Sequence, residues 1–345
     1  MRVLMTGHQG YIGPVAVKVF KQAGLEVIGL DTGYFKDCLT KAGGVMAPDA
    51  EIVCDMRDVT VDHLRGMDAV MHWAALSNDP MGELSPDLTY DINLKSTITL
   101  ARLAKEAGVR RFVMASSCSI YGASDTSRPL DETAEFNPVS AYAVSKVESE
   151  QALRELADDT FSPVFMRNAT AFGVSPRTRL DLVLNNLMAV ARATGEIRVL
   201  SDGTPWRPIV HIEDISQAAM CAVRAPREAV HCQAFNVGRS DMNYQVKDIA
   251  EAVGRAVPGS KVVIANQSGP DSRSYRVDFS KAAKLLPGFA PRWTLDDGCR
   301  ELSEWLDTQG IGSSDDLNSP LYIRLRKLRA LLGDKLVDEQ LRWAQ

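Results

Sequence analysis

The chain has 345 residues, 45% of them hydrophobic and 24% charged, with a formal net charge of -5. That length can bury a large core in one big or two modest domains. The mildly acidic balance argues against a general nucleic-acid or membrane-surface role, and no apolar run reaches the roughly 20 residues of a membrane span.

Short apolar runs alternate with amphipathic stretches through the first half. Arg2–Thr6 reads as a buried strand, and residues 11–23 carry helical spacing that stops at Gly24. Val27–Leu30, Ile52–Cys54 and Ala69–His72 are the next strands. A long helix follows over residues 87–107, then a strand at Phe112–Ala115. A loop rich in Asp, Ser and Pro leads to a helix near 140–157 and a strand at Val164–Met166. Strands alternating with helices, without hairpin signals, predict an α/β fold: a Rossmann-type, doubly wound parallel sheet.

After about Arg167 the strands shorten and Pro, Arg and Gly become frequent. Helices are expected over residues 182–193 and 246–256. Ile209–Val210 and Phe235–Val237 look like strands that rejoin the first sheet. The expected organisation is a dinucleotide-binding domain over 1–170, rejoined by 208–240. A smaller interleaved α/β substrate-binding lobe takes 171–207 and 241–315. A helical extension over 316–345, basic at Arg324, Arg326, Lys327 and Arg329 with Leu at helical spacing, is expected to pack on the body or on a partner chain. The six cysteines are widely spaced, with no Cys-x-x-Cys and no zinc-type Cys/His cluster. Reduced thiols in a cytoplasmic protein without a metal site are expected.

The first strand runs into Gly7-His-Gln-Gly10-Tyr11-Ile12-Gly13 at the start of a helix. Glycines in that frame allow a tight turn, close approach of a pyrophosphate, and close packing of helix on strand. The free N–H groups of the helix start then face the phosphates. Asp31 ends the second strand, where a carboxylate accepts from the adenosine ribose hydroxyls and repels a 2′-phosphate, favouring NAD. It could equally be a turn-forming Asp before Thr32-Gly33. Asp55-Met56 end the third strand and could meet the adenine. Ala74-Ala75 follow the fourth, where small residues let backbone approach the cofactor. Tyr142 and Lys146, four residues apart, share one helix face. An ammonium beside a phenol favours the phenolate, bringing proton exchange nearer neutrality than the free value of about 10. Alone, such a pair also suits a solvated helix surface.

The order Gly7-x-x-Gly10-x-x-Gly13, Asp31, Asp55, Ala74-Ala75, Asn93, Ser116-Ser117-Cys118-Ser119-Ile120-Tyr121-Gly122, Tyr142-x-x-x-Lys146 resembles the extended short-chain dehydrogenase/reductase family. The match is to its NAD-dependent sugar-nucleotide epimerase/dehydratase branch and runs to roughly Leu306. The resemblance implies that Ser117 hydrogen-bonds the reacting hydroxyl or carbonyl, although a strand-end Ser also caps. Tyr142 becomes the acid/base, and Lys146 bridges the nicotinamide ribose and lowers the Tyr142 pKa. Asn93 takes the place of a helix Asn that is usually structural. Asn185-Asn186-Leu187 is similar to the diphosphate-touching Asn-Asn-Leu of the family's 4-epimerases. Arg207 and Arg273 resemble its phosphate clamps, since a planar fork suits phosphate oxygens. Each could instead be a surface ion-pair partner.

Departures narrow the reading. The family's 4,6-dehydratases place Asp-Glu where Cys118-Ser119 stands, so the acid that expels a C6 hydroxyl is missing. Ser268 stands where the 4-epimerase has Arg, and Thr170 where Arg-x-x-Asn has Asn. The segment from Leu76 through Ser77 and Asn78 to Gly82, and the Arg177/Arg179 loop, are unlike the 4-epimerase and are expected on the sugar. Cys118 is either a second acid/base or a small buried residue. The resemblance implies C4 epimerisation of a nucleoside-diphosphate sugar by a homodimer joined through the 87–107 helix. The same apparatus serves a 4-ketoreductase or dehydrogenase. C2 or C3/C5 epimerisation, or an unusual dehydration, enlists Cys118 or Ser119. A dinucleotide-sensing regulator is the non-enzymatic alternative.

Overall fold

The computed structural model describes residues 1–40, 44–77, 81, 85–265 and 273–344. The first half follows the expected alternation: β1 (Arg2–Thr6), α1 (Gly13–Gln22), β2 (Glu26–Asp31), β3 (Ala50–Val53) and β4 (Ala69–His72). Next come α2 (Pro86–Thr89), a π-helical turn (Tyr90–Lys95), α3 (Ser96–Glu106), β5 (Arg111–Ser117), α4 (Ala141–Leu156) and β6 (Ser162–Asn168). Then follow β7 (Thr170–Phe172), α5 (Val183–Thr194), β8 (Glu196–Val199), β9 (Trp206–His211), α6 (Ile212–Arg224) and β10 (Ala234–Val237). The chain continues as β11 (Asn243–Gln245), α7 (Val246–Ala256), β12 (Lys261–Ile264), α8 (Leu295–Gln309) and α9 (Arg324–Gly333).

Among the described residues seven parallel strands form the central sheet, in the order β10-β6-β5-β4-β1-β2-β3. Side chains alternate across it. Val3 and Met5 enter a core with α1 and α6, while Leu4 enters a core with α3 on the other face. Helices on both faces bury both sides, which is why these strands read as near-continuous apolar runs. Strand order reverses between β1 and β4, so a crevice opens beyond their carboxyl ends.

The helix expected over 87–107 is present over 86–106, with a π-helical turn inside it. Its π-helical turn carries Asn93, which is buried and accepts from the Leu76 amide at 2.8 Å and donates to the Leu76 carbonyl at 3.1 Å. The extra residue of a π turn re-aims a side chain that a regular helix would place elsewhere, and here it pins the chain leaving β4.

Of the two strands expected to rejoin the sheet, only Phe235–Val237 does so, as part of β10 beside β6. Ile209–Val210 lies in β9, between β7 and β11 in a separate three-stranded sheet. The physical reason is occupancy: β10 already pairs with the outer edge of β6. A second apolar core gathers around α5, α7 and α8, with Phe172, Leu184, Ile249 and Trp305 inside it. The basic tail is helical as expected, and α9 packs on the body, with Leu328 and Leu331 against Leu76 and Leu88.

Candidate active site

One cavity of about 680 Å³ occupies the crevice and is lined from the glycine turn to β9. Its first wall is backbone. Gly7 sits at φ +73°, and a Cβ there would stand 2.7 Å from the Ala74 amide; one on Gly13 would stand 2.4 Å from the His8 carbonyl oxygen. Only glycine lets the turn close against β4 and α1 this tightly. Gly10, Tyr11, Ile12, Ala74 and Ala75 complete this wall. The Tyr11 hydroxyl donates to the Gly173 carbonyl at 2.6 Å and accepts from the Asn185 amide at 3.0 Å, joining the turn to the start of α5.

Asp31 both turns the chain and faces the cavity. Its carboxylate accepts from the Gln9 amide at 3.0 Å and the Gly33 amide at 2.9 Å, and each oxygen keeps a lone pair for a ribose hydroxyl. Asp55 and Met56 line the same end. Burial works against the Asp55 charge, but the Arg57 guanidinium at 2.6 Å outweighs it and holds the carboxyl below its ordinary range.

Ser117, Tyr142 and Lys146 meet mid-cavity. Ser140 caps α4 through a 3.2 Å bond from the Ala143 amide, which fixes where the helix begins and hence where Tyr142 lies. Tyr142 is half-buried, and the Lys146 ammonium stands 5.7 Å from its ring centroid. Burial pushes Lys146 down to about 8, with Glu150 on the next turn opposing the shift. Glu150 itself is held by Arg167 at 2.7 Å and by the Ser116 hydroxyl at 2.6 Å, and Arg167 bonds the Tyr121 hydroxyl at 3.1 Å. This buried pair is satisfied on both sides, so α4 is fixed to β5 and β6 by charge as well as packing. Behind β4, His72 is buried between the hydroxyls of Thr6 and Thr97, each at 2.8 Å, and burial holds it down to about 3.

The Ser117 hydroxyl accepts from the Ser119 amide at 3.1 Å, so the capping role is present in a residue that also lines the cavity. Among the described residues three buried polar atoms on the cavity wall have no protein partner: Ser119 Oγ, Asn168 Oδ1 and Trp73 Nε1. Buried polar atoms are nearly always satisfied, so these three offer hydrogen bonds to a ligand in the cavity. At the other end stand Thr170, Asn186, Arg207 and Arg273, joined by Arg198. Arg207 also donates to the carbonyls of Trp206 and Arg273, which ties the two arginine-bearing segments together.

Two of the candidate site residues lie outside the cavity lining, and for Cys118 this matches the buried alternative. Cys118 is fully buried outside the cavity lining; its thiol faces the Arg167 carbonyl at 3.2 Å, and burial pushes its pKa up. The reason is local: β5 ends at Ser117 and the chain enters a tight helical turn over Cys118–Tyr121, whose first residue turns its thiol to β6 while Ser117 and Ser119 line the cavity. Arg177 also leaves the cavity, donating instead to the Phe35 carbonyl at 3.2 Å and the Lys36 carbonyl at 3.4 Å. Arg179, two residues on, does line it, with its fork on Asp181 at 2.8 and 2.9 Å and a bond to the Ser77 hydroxyl at 3.0 Å. Burial disfavours the Arg179 charge, but Asp181 more than restores it. Ser77 lines the cavity, whereas Asn78 lies outside the described residues.

The model described as NAD dependent epimerase/dehydratase family matches residues 3–238. The chain belongs to that family. A Bacillus subtilis (strain 168) protein named UDP-glucose 4-epimerase is 28% identical over 88% of this chain and 96% of its own length. Its human namesake is also 28% identical, over the same shares. Among solved structures, MoeE5 in complex with UDP-glucuronic acid and NAD superposes with a TM-score of 0.76 at 25% identity, over 89% of this chain and 99% of its own. The NAD-dependent family fits what the crevice offers: a cradle that tolerates no side chain, and a carboxylate at the end of β2.

Some lining residues of this family member escaped the sequence reading. Asn168 and Trp73 sit beside positions that were singled out, Thr170 and Ala74. Arg198 lies on the two-stranded β8–β12 sheet. Arg324 comes from α9, far along the chain; the basic run was visible, but only folding shows that its first Arg turns inward while Arg326 and Arg329 stay outside.

Proposed function

We propose that the protein is an NAD-dependent epimerase that inverts C4 of a nucleoside-diphosphate sugar through a transient 4-keto sugar. The observation that carries this reading is one cavity with the glycine cradle and Asp31 at one end, Ser117, Tyr142 and Lys146 in the middle, and Arg207 and Arg273 at the other. Gly7, Gly10, Tyr11, Ile12, Gly13, Asp31, Asp55, Met56, Ala74 and Ala75 form the cofactor side. Bound NAD supplies a hydride acceptor that later acts as donor. Tyr142, as phenolate, takes the proton from the C4 hydroxyl, and returns it to the same oxygen once hydride has come back to the opposite face. The charged Lys146 favours that phenolate and reaches the nicotinamide ribose. Ser117 and Ser119 hydrogen-bond the sugar oxygens. Ser77, Thr170 and Arg179 take the sugar's other edge. Asn186, Arg207 and Arg273 take the diphosphate. The absence of a carboxylic acid at 118 and 119 argues against 4,6-dehydration, and the burial of Cys118 argues against its service as a second base.

Net redox change is zero, so the cofactor stays bound through turnover. The protein acts in the cytoplasm, a reading supported by six free cysteines and consistent with no helix among the described residues being long and apolar enough to cross a membrane; the homodimer rests on the family resemblance alone. The deciding experiment incubates purified protein with UDP-, dTDP-, GDP-, CDP- and ADP-sugars, UDP-glucose and UDP-glucuronic acid among them. Mass spectrometry and proton NMR read the products. An isobaric product formed without added cofactor is expected. Loss of water, net NADH, or NAD binding without turnover of any sugar would sink the epimerase reading.

A further inference from the structure

The tail beyond the expected lobe does more than cover apolar surface. After α9 the chain turns back through Lys335 and Leu341, both at positive φ, and a bridge between Val337 and Trp343 closes the turn. The Asp338 carboxylate holds that turn by accepting from the amides of Gln340 at 2.9 Å and Arg342 at 2.7 Å. A bulky residue such as Leu341 keeps a left-handed conformation only where its surroundings over-determine it, and Leu341 is completely buried.

Those surroundings are the two loops at the adenosine end of the cavity. From the β2 loop, the Thr32 carbonyl accepts from the Trp343 indole N–H at 2.7 Å. The Tyr34 ring lies 5.7 Å from the Trp343 ring, and its hydroxyl donates to the Leu341 carbonyl. From the β3 loop, Arg57 donates to the Gln340 carbonyl at 2.8 Å, and Arg342 pairs with Asp55 at 3.4 Å and with Asp58. Thr32, Tyr34 and Asp55 line the cavity. At the start of the segment, Arg324 lines it as well, lying 4.9 Å over the Phe35 ring and donating to the Arg177 carbonyl at 2.6 Å. One segment thus ties together both loops that flank Asp31.

We infer that residues 324–344 form a clasp that fixes the adenosine end of the NAD site and slows release of the cofactor, with Arg342 and Trp343 as positioning residues. The inference rests on the cofactor being held with its adenosine at Asp31, and not on which sugar reacts. It suits a reaction whose cofactor must remain bound between one turnover and the next.

The test compares full-length wild type with Arg342→Ala/Trp343→Ala. NAD per chain is measured after gel filtration and denaturation, the NAD release rate by exchange into excess labelled NAD, and the melting temperature of the apo form by circular dichroism. The double variant removes a hydrogen bond, two ion pairs and a ring contact, so release should quicken about tenfold or more, with a matching fall in retained NAD. A role confined to stability would lower the apo melting temperature and leave release unchanged. Release within about twofold of wild type overturns the clasp. If the double variant does not fold, Trp343→Phe, which keeps a ring and loses the N–H to Thr32, carries the test with an expected rise of about threefold. Wild type that neither copurifies with nor takes up NAD overturns the cofactor placement itself, and the clasp with it. Failure of every sugar in the panel leaves this measurement standing.

Discussion

At the glycine end of the cavity the wall is mainly backbone, whereas at the far end it is long side chains. The glycine turn, the amides that fix Asp31 and the chain leaving β4 sit in positions set by the sheet. The far end is furnished by Arg198, Arg207 and Arg273, carried on small sheets and loops with several rotatable bonds each. A backbone-built surface admits one ligand shape and fails sharply when crowded. A side-chain-built surface can be altered one contact at a time. The adenosine half of a dinucleotide is constant and suits the first kind; a variable sugar nucleotide suits the second.

The residues between the two ends should show the largest effect. Tyr142→Phe keeps the ring and deletes the proton, and kcat for the sugar found to react should fall by about 10²–10⁴-fold, read by single-substrate kinetics at saturating substrate. A fall below tenfold would remove Tyr142 from the proton transfer. Gly13→Ala breaks the rigid end. The new Cβ meets the His8 carbonyl, which cannot swing aside, so a stability loss near the upper end of overpacking, about 3 kcal/mol, is expected in urea melts, together with lost NAD. Arg207→Met softens the other end only. KM for the nucleotide sugar should rise about 10- to 100-fold, the range of a charged hydrogen bond, while NAD content holds; an unchanged KM would place the diphosphate elsewhere. Cys118→Ala should be the smallest. Turnover should stay within about twofold and stability fall by about 1 kcal/mol, because the thiol fills core volume and faces no substrate.

The contrast between the two ends also explains what could be read from the sequence. Backbone-built features leave fixed residue types behind: glycines where a Cβ has no room, Asp at a strand end, and Tyr and Lys one helical turn apart. The central strands were legible for the same reason, since burial on both faces leaves continuous apolar runs. The short β9 was assigned to the wrong sheet because Ile209–Val210 records burial but not a partner, and the edge it seemed to suit belongs to β10. Arg177 and Arg179 were indistinguishable as residue types; their separation depends on loop geometry that sends one to the Phe35 carbonyl and the other to Ser77. Cys118 follows the end of β5 at Ser117 and opens a tight helical turn, so strand alternation alone does not place its side chain. Arg324 was beyond reach, since the partners that draw it inward, the Arg177 carbonyl and the Phe35 ring, lie 147 residues and more away along the chain.

His72 gives the sheet an acid limit. Clamped between Thr6 and Thr97, it takes a proton in the folded protein only at about pH 3, whereas in the unfolded chain it does so near 6.5. Between those values the unfolded chain binds more protons, so folding stability is complete above the upper one and drains away as the medium acidifies towards the lower. His72→Gln should therefore flatten the decline of the melting temperature between pH 6.5 and 3; an equally steep decline in the variant would assign it to other groups. On the far side of the strand that floors the cavity, the protein thus keeps a base whose protonation would break a side-chain link between β1 and β4.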